Sequence, residues 1–318
     1  MNSPDPQATD PSVPTADTCP DPAAIEVRGL RKSFGGPPVL DRFDLTVERG
    51  RVFALLGRNG TGKTTLVRIL VGLVRSDAGS ARVLGLDPGR DPAGINARVG
   101  FVAEDLEFYP WMSVSDLVDF ASSFHRCWDA GYVAGLLEKL GVPCKTRVSE
   151  LSRGHKGKLS LVLALGHHPE LLLMDEPMAG LDPVVRRQFL METIELIVEE
   201  RRTIFIVTHG IAEVEKVADS VGIVHQGRML VAGDLESVKR RHVRLRATFE
   251  ASPPPELDRL GRGVERLGNE LSLVVESPAT TVEEKLRSRG AVRVESSGLT
   301  LEELFCVLTA EDAPPPAA

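Results

Sequence analysis

The chain has 318 residues, of which 42% are hydrophobic and 26% are charged, and its 38 basic and 45 acidic side chains leave a formal net charge of −7. This length predicts about two domains with at least one full core, and the acidic balance argues against nucleic acid as a partner. The longest apolar runs, such as Leu171–Met174, are far shorter than the roughly 20 residues of a membrane-spanning helix, and four scattered cysteines without a CxxC pair argue for a reducing cytoplasm and against a disulfide framework or a zinc site.

Residues 1–24 are rich in Pro, Asp, Ser and Thr and carry no apolar core like that of a secretory signal. We therefore expect a disordered N-terminal tail. Over residues 25–241, short apolar runs such as Arg51–Gly57 and Thr203–His209 alternate with segments of helical spacing such as Lys63–Val74. This alternation predicts an α/β domain built on a mostly parallel sheet with helices on both faces.

A glycine-rich segment, GRNGTGKTT, follows the first of these buried runs and opens a helix, and it fits the pattern G-x-x-x-x-G-K-[ST]. Glycines let backbone N–H groups wrap phosphate oxygens, and the helix N-terminus adds partial positive charge. We expect Lys63 to reach the β- and γ-phosphates of a nucleotide and Thr64 to ligand Mg²⁺. A glycine-rich turn with an incidental lysine is the plain alternative. The candidate nucleotide-binding residues of this segment are Gly57, Arg58, Asn59, Gly60, Thr61, Gly62, Lys63, Thr64 and Thr65.

Strand signals vanish between about residues 104 and 165, where two segments have helical spacing, which predicts a helical insert on the α/β core. Three aromatic residues, Phe108, Tyr109 and Trp111, stand near the start of this insert. They either pack within the insert or form a groove for a helix of another chain, since exposed aromatics favour interfaces.

The stretch Leu151–Leu159 reads LSRGHKGKL at the predicted start of a helix. Ser152 alone would satisfy the free N–H groups there, so Arg153, Gly154 and the basic residues behind them exceed what a cap needs. A helix start also offers N–H groups and a hydroxyl to an anion. The stretch is therefore either a plain N-cap or one wall of a phosphate site.

Two acidic residues end the buried run ELLLMDEP. A carboxylate at the end of a buried strand is costly unless it pairs or meets a metal. We expect Asp175 to hold the Mg²⁺ shell through water and Glu176 to orient or deprotonate an attacking water. A strand that ends in two acidic turn residues is the alternative.

Three histidines lie near predicted strand ends or in loops. His209 ends TIFIVTH, where its imidazole would contact a γ-phosphate or simply form a structural hydrogen bond. His167 and His168 precede a proline with no visible ligand cluster, so we expect them to be structural.

The last third of the chain changes character. Ser220–Gly233 predicts a hairpin turning at Gln226–Gly227. The basic stretch Lys239–Arg246 is interpreted as a solvated linker in preference to a contact with anionic lipid. Residues 242–318 contain strand-like and helix-like segments and predict a small α+β accessory domain with a disordered, proline-rich end.

In this order, the motifs resemble those of the ATP-binding subunit of an ABC transporter over about residues 25–239. The resemblance implies the ABC type of P-loop NTPase fold, with an antiparallel β subdomain beside the mostly parallel sheet, and ATP and Mg²⁺ as cofactors. It implies that Phe34 stacks on adenine, that Gly57–Thr65 is Walker A and that LLLMDE is Walker B. Asp182 in AGLD would communicate across a dimer, and His209 would be the switch histidine.

The resemblance also places LSRGH where the family carries its LSGGQ signature, with Ser152 and Gly154 intact. In the family this helix end faces the ATP held by the other subunit. Arg153 departs from a family glycine and His155 from a glutamine. Glu104 replaces the glutamine that links Mg²⁺ to the membrane partner, and a carboxylate can still ligand the ion.

The function implied by the resemblance is ATP hydrolysis that drives a separate integral membrane permease. The catalytic residues would be Lys63, Glu176 and His209, and the Mg²⁺ ligands Thr64, Glu104 and Asp175. Each ATP would be clamped between two ATP-binding subunits, identical or related, at the cytoplasmic face of the membrane. The C-terminal segment is similar to an extension of some bacterial drug-exporter ATPases, which suggests export.

Two other classes of protein share a phosphate loop. A soluble ABC-type mechanoenzyme acting on nucleic acid or ribosomes usually has long coiled coils or two ATPase units, and this sequence shows neither. A GTPase or small-molecule kinase would leave LSRGH and AGLD unexplained, and no N-K-x-D stretch for guanine is present.

Overall fold

The structure is a computed structural model that describes residues 23–105, 107–198 and 202–310. Of the segments predicted to be disordered, residues 1–22 and 311–318 lie outside the described part of the chain. The strands, in chain order, are β1 (Ile25–Lys32), β2 (Leu40–Val47), β3 (Val52–Gly57), β4 (Ala78–Val83), β5 (Val99–Val102), β6 (Leu171–Asp175), β7 (Thr203–Thr208), β8 (Ser220–His225), β9 (Arg228–Asp234), β10 (His242–Phe249), β11 (Arg262–Leu267), β12 (Glu270–Glu276) and β13 (Ala291–Gly298). The helices are α1 (Lys63–Leu70), α2 (Pro92–Asn96), α3 (Val114–Ser122), α4 (Ala130–Lys139), α5 (Arg153–Leu165), α6 (Pro183–Val198), α7 (Ile211–Val214), α8 (Leu235–Arg240), α9 (Thr280–Ser288) and α10 (Leu301–Thr309).

A six-stranded sheet in the order β5-β6-β7-β3-β8-β9 forms the centre of the molecule. Five of its strands are parallel, and β9 returns antiparallel to β8 through the predicted hairpin. The expected mostly parallel sheet with helices on both faces is therefore confirmed. The central parallel strands β3, β6 and β7 read as apolar runs because both of their faces are buried.

Alternate residues of β3 enter two different cores, as the two-residue period of a strand requires. Ala54 and Leu56 pack with the helices α3, α4 and α5, whereas Phe53 and Leu55 pack with α1 and the smaller sheet. That smaller sheet has the order β2-β1-β4 and is antiparallel throughout.

The helices α3 and α4 lie between β5 and α5 and start at well-defined caps. Ser113 and Asp116 form a capping box on α3, and Asp129 accepts a hydrogen bond from the Tyr132 N–H at the start of α4. No helix in the described part is both long enough and apolar enough to cross a bilayer.

A second antiparallel sheet, in the order β11-β12-β10-β13, follows α8. Its strand β10 lies between two neighbours, so the interpretation of Lys239–Arg246 as a solvated linker is wrong. The basic side chains are accommodated by distant acids: Lys239 Nζ lies 2.9 Å from Glu215, and Arg244 Nη1 lies 2.8 Å from Glu303.

The helix α10 packs against both the α/β domain and the second antiparallel sheet. Leu301, Leu304 and Leu308 belong to the core of the α/β domain, while Val307 packs with Val274 of the second sheet. The α/β core and the C-terminal segment therefore share a helix.

Candidate functional site

The loop between β3 and α1 is held in shape by close approaches that only glycine allows. Gly62, the N-cap of α1, has φ of 97°, and a Cβ there would lie 2.5 Å from the carbonyl oxygen of Val39. The hydroxyl of Thr61 braces the loop by donating to the carbonyl of Arg58 at 2.8 Å. Gly62 supplies no side chain to cap the helix, so the first N–H groups of α1 point towards the loop as anion donors.

Lys63 is 6% exposed, and its ammonium donates to the carbonyl oxygens of Gly57 at 2.7 Å and Arg58 at 3.1 Å. Burial lowers its pKa, and three neighbouring carboxylates, Glu176 foremost, act in the opposite direction. The arrangement holds a cation at the mouth of the loop, where phosphate charge would be neutralised.

Asp175, at the end of β6, is 2% exposed and accepts a hydrogen bond from the Thr64 hydroxyl at 3.2 Å. Burial raises its pKa to about 6, against the effect of that hydrogen bond. The charges of Glu104 and Glu176 raise it further. A buried carboxylate beside a hydroxyl is an oxygen donor set of the kind that hard cations prefer.

Glu176 follows directly and has φ of 46°, a left-handed conformation that costs a non-glycine residue about 1–3 kcal/mol. Its N–H donates to the carbonyl of Val207 at 2.8 Å. Its Oε2 lies 2.9 Å from His209 Nδ1 and accepts the His209 backbone N–H at 3.3 Å. Within the described residues Oε1 has no hydrogen-bond partner, and it lies 3.8 Å from Lys63 Nζ. The strained backbone thus presents one fixed oxygen and one available oxygen.

Glu104 is exposed on the loop after β5 and influences the pKa values of both Lys63 and Asp175. It also lines an open pocket of about 270 Å³ in which acidic side chains of its loop face basic side chains of α5. The residues lining this pocket are Glu104, Asp105, Glu107, Arg153 and Lys156. Two departures from the family pattern, Glu104 and Arg153, therefore meet in one place with opposite charge.

Ser152 is the N-cap of α5: its hydroxyl accepts the His155 N–H at 3.2 Å and lies 2.9 Å from His155 Nδ1. Ser152 therefore does cap the helix, as the plain N-cap interpretation predicts. This cap leaves the other N–H groups of the helix start available. Arg153 lies over Gly180, where a Cβ would be 2.6 Å from its guanidinium carbon, and a Cβ on Gly154 would be 3.5 Å from Val185. The start of α5 consequently rests on the AGLD loop.

Asp182 ends that loop and starts α6. Its Oδ1 accepts the N–H of Val185 at 3.1 Å, and its carbonyl accepts the N–H of Arg186 at 2.9 Å. The guanidinium of Arg186 donates back to the carbonyl of Leu181 at 2.8 Å. The position of the Asp182 carboxylate is therefore set by the turn in which it lies.

Phe34 lies in the loop between β1 and β2 and is 64% exposed. The ammonium of Lys32 lies 5.1 Å from the centre of its ring. Because Val39 of the same loop touches Gly62, this aromatic ring belongs to a segment that borders the phosphate loop.

The structure brings five of the predicted residues into one connected set of contacts: Lys63, Thr64, Asp175, Glu176 and His209. Ser152, Gly154 and Asp182 lie on a second set of contacts, around the AGLD loop. Sequence reasoning missed Asp77, which anchors Lys32 and Ser33 beside Phe34. No local pattern marks it, because β-sheet pairing brings it close from far along the chain.

His167 is buried with its ring stacked 4.1 Å from that of His125. Burial lowers its pKa to about 4, and the charge of His125 adds to the effect. Among the described residues, no group of three or more His, Cys, Asp or Glu side chains is arranged to hold a metal ion.

Residues 40–179 match the protein family described as ABC transporter. The ABC transporter ATP-binding protein YtrB of Bacillus subtilis is 30% identical over 71% of this chain and 77% of its own length. The bacitracin transport ATP-binding protein BcrA of Bacillus licheniformis is 31% identical over 69% of this chain and 72% of its own. The Nod factor export ATP-binding protein I of Paraburkholderia xenovorans is 32% identical over 91% of this chain and 98% of its own, so that match extends into the second sheet.

Solved structures share the fold. An ATP-binding subunit of an ABC transporter aligns with a TM-score of 0.62 and 27% identity over 68% of this chain and 92% of its own. A dimeric ATP-binding cassette bound to ADP and Pi aligns with a TM-score of 0.60 and 17% identity over 66% of this chain and 98% of its own.

Proposed function

Since this chain belongs to the ATP-binding subunits of ABC transporters, we propose that it hydrolyses ATP with Glu176 as general base and passes the resulting change of shape to a separate membrane permease. Membership of the family makes the chain an ATPase that binds ATP. The observation that supports the assignment to Glu176 is its buried carboxylate, with one oxygen held by His209 and the other lacking a hydrogen bond in the described part of the chain.

Hydrolysis needs a water held in line with the γ-phosphorus and relieved of its proton. Glu176 Oε1 takes that proton as the water oxygen bonds to phosphorus and the bond to the β–γ bridging oxygen breaks, giving ADP and phosphate. His209 keeps the carboxylate oriented through Oε2. Lys63 exchanges its bonds to the loop carbonyls for bonds to phosphate oxygens, which neutralises charge on the leaving side.

The donor set beside Lys63 fits Mg²⁺, because this ion prefers oxygen ligands. Thr64 and Asp175 already share a hydrogen bond, and the buried carboxylate keeps a raised pKa despite the charge of Lys63. Together with Glu104 they would hold the ion, which supplies positive charge to the β- and γ-phosphates. A charged Glu104 would bring one more negative charge to the ion than the family's glutamine does.

A second ATP-binding subunit completes the site in this proposal. Ser152, Gly154 and Asp182 form a surface at the start of α5 and in the AGLD loop, joined through Arg153 and Gly180. Such a surface offers N–H groups of a helix start and a hydroxyl to the γ-phosphate held by a partner. ATP then attracts both halves, and ADP does not, so hydrolysis shifts the closed–open balance.

The permease would dock on an aromatic patch, which we define as Tyr109, Trp111, Phe120 and Phe124. The ring centre of Tyr109 lies 5.3 Å from that of Trp111 and 5.5 Å from that of Phe120, which in turn lies 5.0 Å from that of Phe124. Trp111 and Phe124 are 67% and 70% exposed. Phe108, by contrast, packs against the core. A contiguous exposed aromatic surface is typical of interfaces, and a helix of an integral membrane subunit fits it.

Docking of this kind would put the chain at the cytoplasmic face of the membrane. Export is the proposed direction, because relatives act in Nod factor export and bacitracin transport and the first of these matches this chain over almost its whole length. The transported molecule would contact the permease and not this subunit.

Co-purification from detergent-solubilised membranes tests this function. We expect the full chain to bring down an integral membrane protein, and Trp111→Ala with Phe124→Ala to lose it while ATP binding is retained. Leu267→Ala is the matched control, since Leu267 is 79% exposed on β11 of the C-terminal sheet. Recovery of ribosomes or nucleic acid in place of a membrane protein would support the mechanoenzyme instead.

A further inference from the structure

The segment from Lys32 to Val39, here called the base loop, is a closed loop that borders the phosphate loop. The N–H of Val39 donates to the carbonyl of Lys32 at 2.8 Å and closes it. On its inner side, the carbonyl oxygen of Val39 lies 2.5 Å from where a Cβ of Gly62 would be. Val39 therefore connects one end of the base loop to the phosphate loop. A side chain on the base loop keeps a fixed position relative to the phosphates only if the other end, at Lys32 and Ser33, is held as well.

Phe34 is an exposed aromatic ring on this loop with a cation on one face. The Lys32 ammonium lies 5.1 Å from the ring centre, within the range of a cation–π contact. One face of the ring is thereby occupied, and a single face is left for a planar group such as a nucleotide base.

Lys32 and Ser33, at the start of the base loop, are held by one carboxylate, that of Asp77, the residue before β4. Its Oδ1 accepts the Lys32 ammonium at 2.8 Å, and its Oδ2 accepts the Ser33 N–H at 2.7 Å and the Ser33 hydroxyl at 3.3 Å. The N–H of Asp77 itself donates to the carbonyl of Arg31 at 2.8 Å, which fixes the anchor to β1. The hydrogen bond from Lys32, followed by that from the Ser33 N–H, lowers the pKa of this carboxyl, so it is ionised at neutral pH.

We propose that Asp77 is a positioning residue for the base of the nucleotide: by holding Lys32 and Ser33 it aims the free face of Phe34 at the space beside the phosphate loop. This inference rests on the proposed function, in which Phe34 stacks on adenine. It adds a residue 43 positions away from Phe34, directly before β4, whose carboxylate acts through Lys32 and Ser33.

The test compares ATP with inorganic tripolyphosphate, which has the phosphates and no base. We expect Asp77→Ala to weaken ATP binding about tenfold in calorimetry, the size of a lost base–aromatic stack, and to leave tripolyphosphate binding unchanged within about twofold. Asp44→Ala is the matched control, because Asp44 also accepts a backbone N–H, that of Gly29 at 2.7 Å, in the same small sheet. It should leave both ligands unaffected.

Equal weakening of ATP and tripolyphosphate by Asp77→Ala would overturn the proposal, since Asp77 would then act on the phosphate loop. Unchanged ATP binding in Asp77→Ala would overturn it too, provided that Phe34→Ala weakens ATP. If Phe34→Ala leaves ATP binding intact, the stacking role of Phe34 in the proposed function is wrong and Asp77 has no base to position. The double variant should bind ATP no more weakly than Phe34→Ala alone, because both changes remove one interaction.

Discussion

Nδ1 of His209 lies 2.9 Å from Oε2 of Glu176, and the backbone N–H of the same histidine donates to that oxygen at 3.3 Å. The imidazole contact and the backbone hydrogen bond on one oxygen fix the rotation of the carboxylate, and Oε1 lies 3.8 Å from Lys63 Nζ. The base and the residue that orients it are thus separate, and substitutions distinguish their tasks.

Glu176→Gln should reduce ATP turnover by about 10²- to 10⁴-fold, the usual contribution of a general base, while ATP binding persists. The amide keeps the shape of the side chain and cannot accept the proton of water. A phosphate-release assay should show the loss of turnover. Light scattering should show that the variant still forms an ATP-stabilised dimer. Glu265→Gln on the exposed strand β11 serves as control, and full turnover in Glu176→Gln would refute the assignment.

His209→Ala should lower turnover by roughly 10- to 150-fold, which corresponds to about 1.5–3 kcal/mol for a lost hydrogen bond to a charged group. His209→Gln should recover part of this loss, because an amide N–H can donate to Oε2. The measurement is the maximal rate at saturating ATP. Identical rates for the two variants would show that the imidazole acts otherwise than by orienting Glu176.

Asp175→Asn should stabilise the nucleotide-free protein at pH 7–8 by about 1–3 kcal/mol. The pKa of Asp175 is raised from 3.8 to about 6, so the folded state favours the neutral acid. Its contribution to stability is present below pH 3.8 and is lost as the pH rises through 6. Urea unfolding at pH 5 and pH 8 measures the effect, which should be larger at pH 8; equal effects at both values would contradict the raised pKa.

His167→Phe should make stability less sensitive to acid. Burial lowers the pKa of His167 from 6.5 to about 4, so the folded state favours the neutral ring. The stability it contributes is full above pH 6.5 and falls as the pH drops through 4. Phenylalanine keeps the ring stacked on His125 without taking up a proton. The midpoint temperature of thermal unfolding should therefore fall less steeply between pH 7 and pH 4.5 in the variant than in the parent protein.

Leu304→Ala should destabilise the whole protein by about 2–5 kcal/mol, because this fully buried residue of α10 belongs to the core of the α/β domain. Leu267→Ala, at an exposed position of the second sheet, should change stability by no more than about 0.5 kcal/mol. A single unfolding transition is expected for both. If Leu304→Ala unfolded only the C-terminal sheet, the two parts would be independent.

The structure also joins α10 to the segment behind His209. Glu215, just after α7, accepts the N–H of Leu301 at 3.3 Å and pairs with Lys239 at 2.9 Å. The helix α10 packs against α7 as well. Nothing in the sequence near His209 indicates this connection, because its two partners come from elements more than twenty and more than eighty residues further along the chain.

Predictability from sequence differed from element to element for physical reasons. The runs around Arg51–Gly57 and Glu170–Pro177 were predicted as buried strands because burial on both faces removes polar residues. The edge strands β11 and β13 were missed, since mostly exposed positions carry no apolar alternation. The prediction for the basic stretch at Lys239–Arg246 was wrong because Lys239 and Arg244 pair with Glu215 and Glu303, which the local sequence does not contain.

The sequence by itself determined the family, the parallel sheet and the phosphate loop, because each depends on residues that are neighbours along the chain and whose chemistry is local: glycines in a turn, a helix start, an apolar run. Only the tertiary structure decided which charges meet, among them Asp77 with Lys32 and His209 with Glu176, and that Glu104 and Arg153 line one pocket. Those pairs arise where strands and helices far apart in sequence pack together, and electrostatic contacts depend on such distances and not on the order of residues.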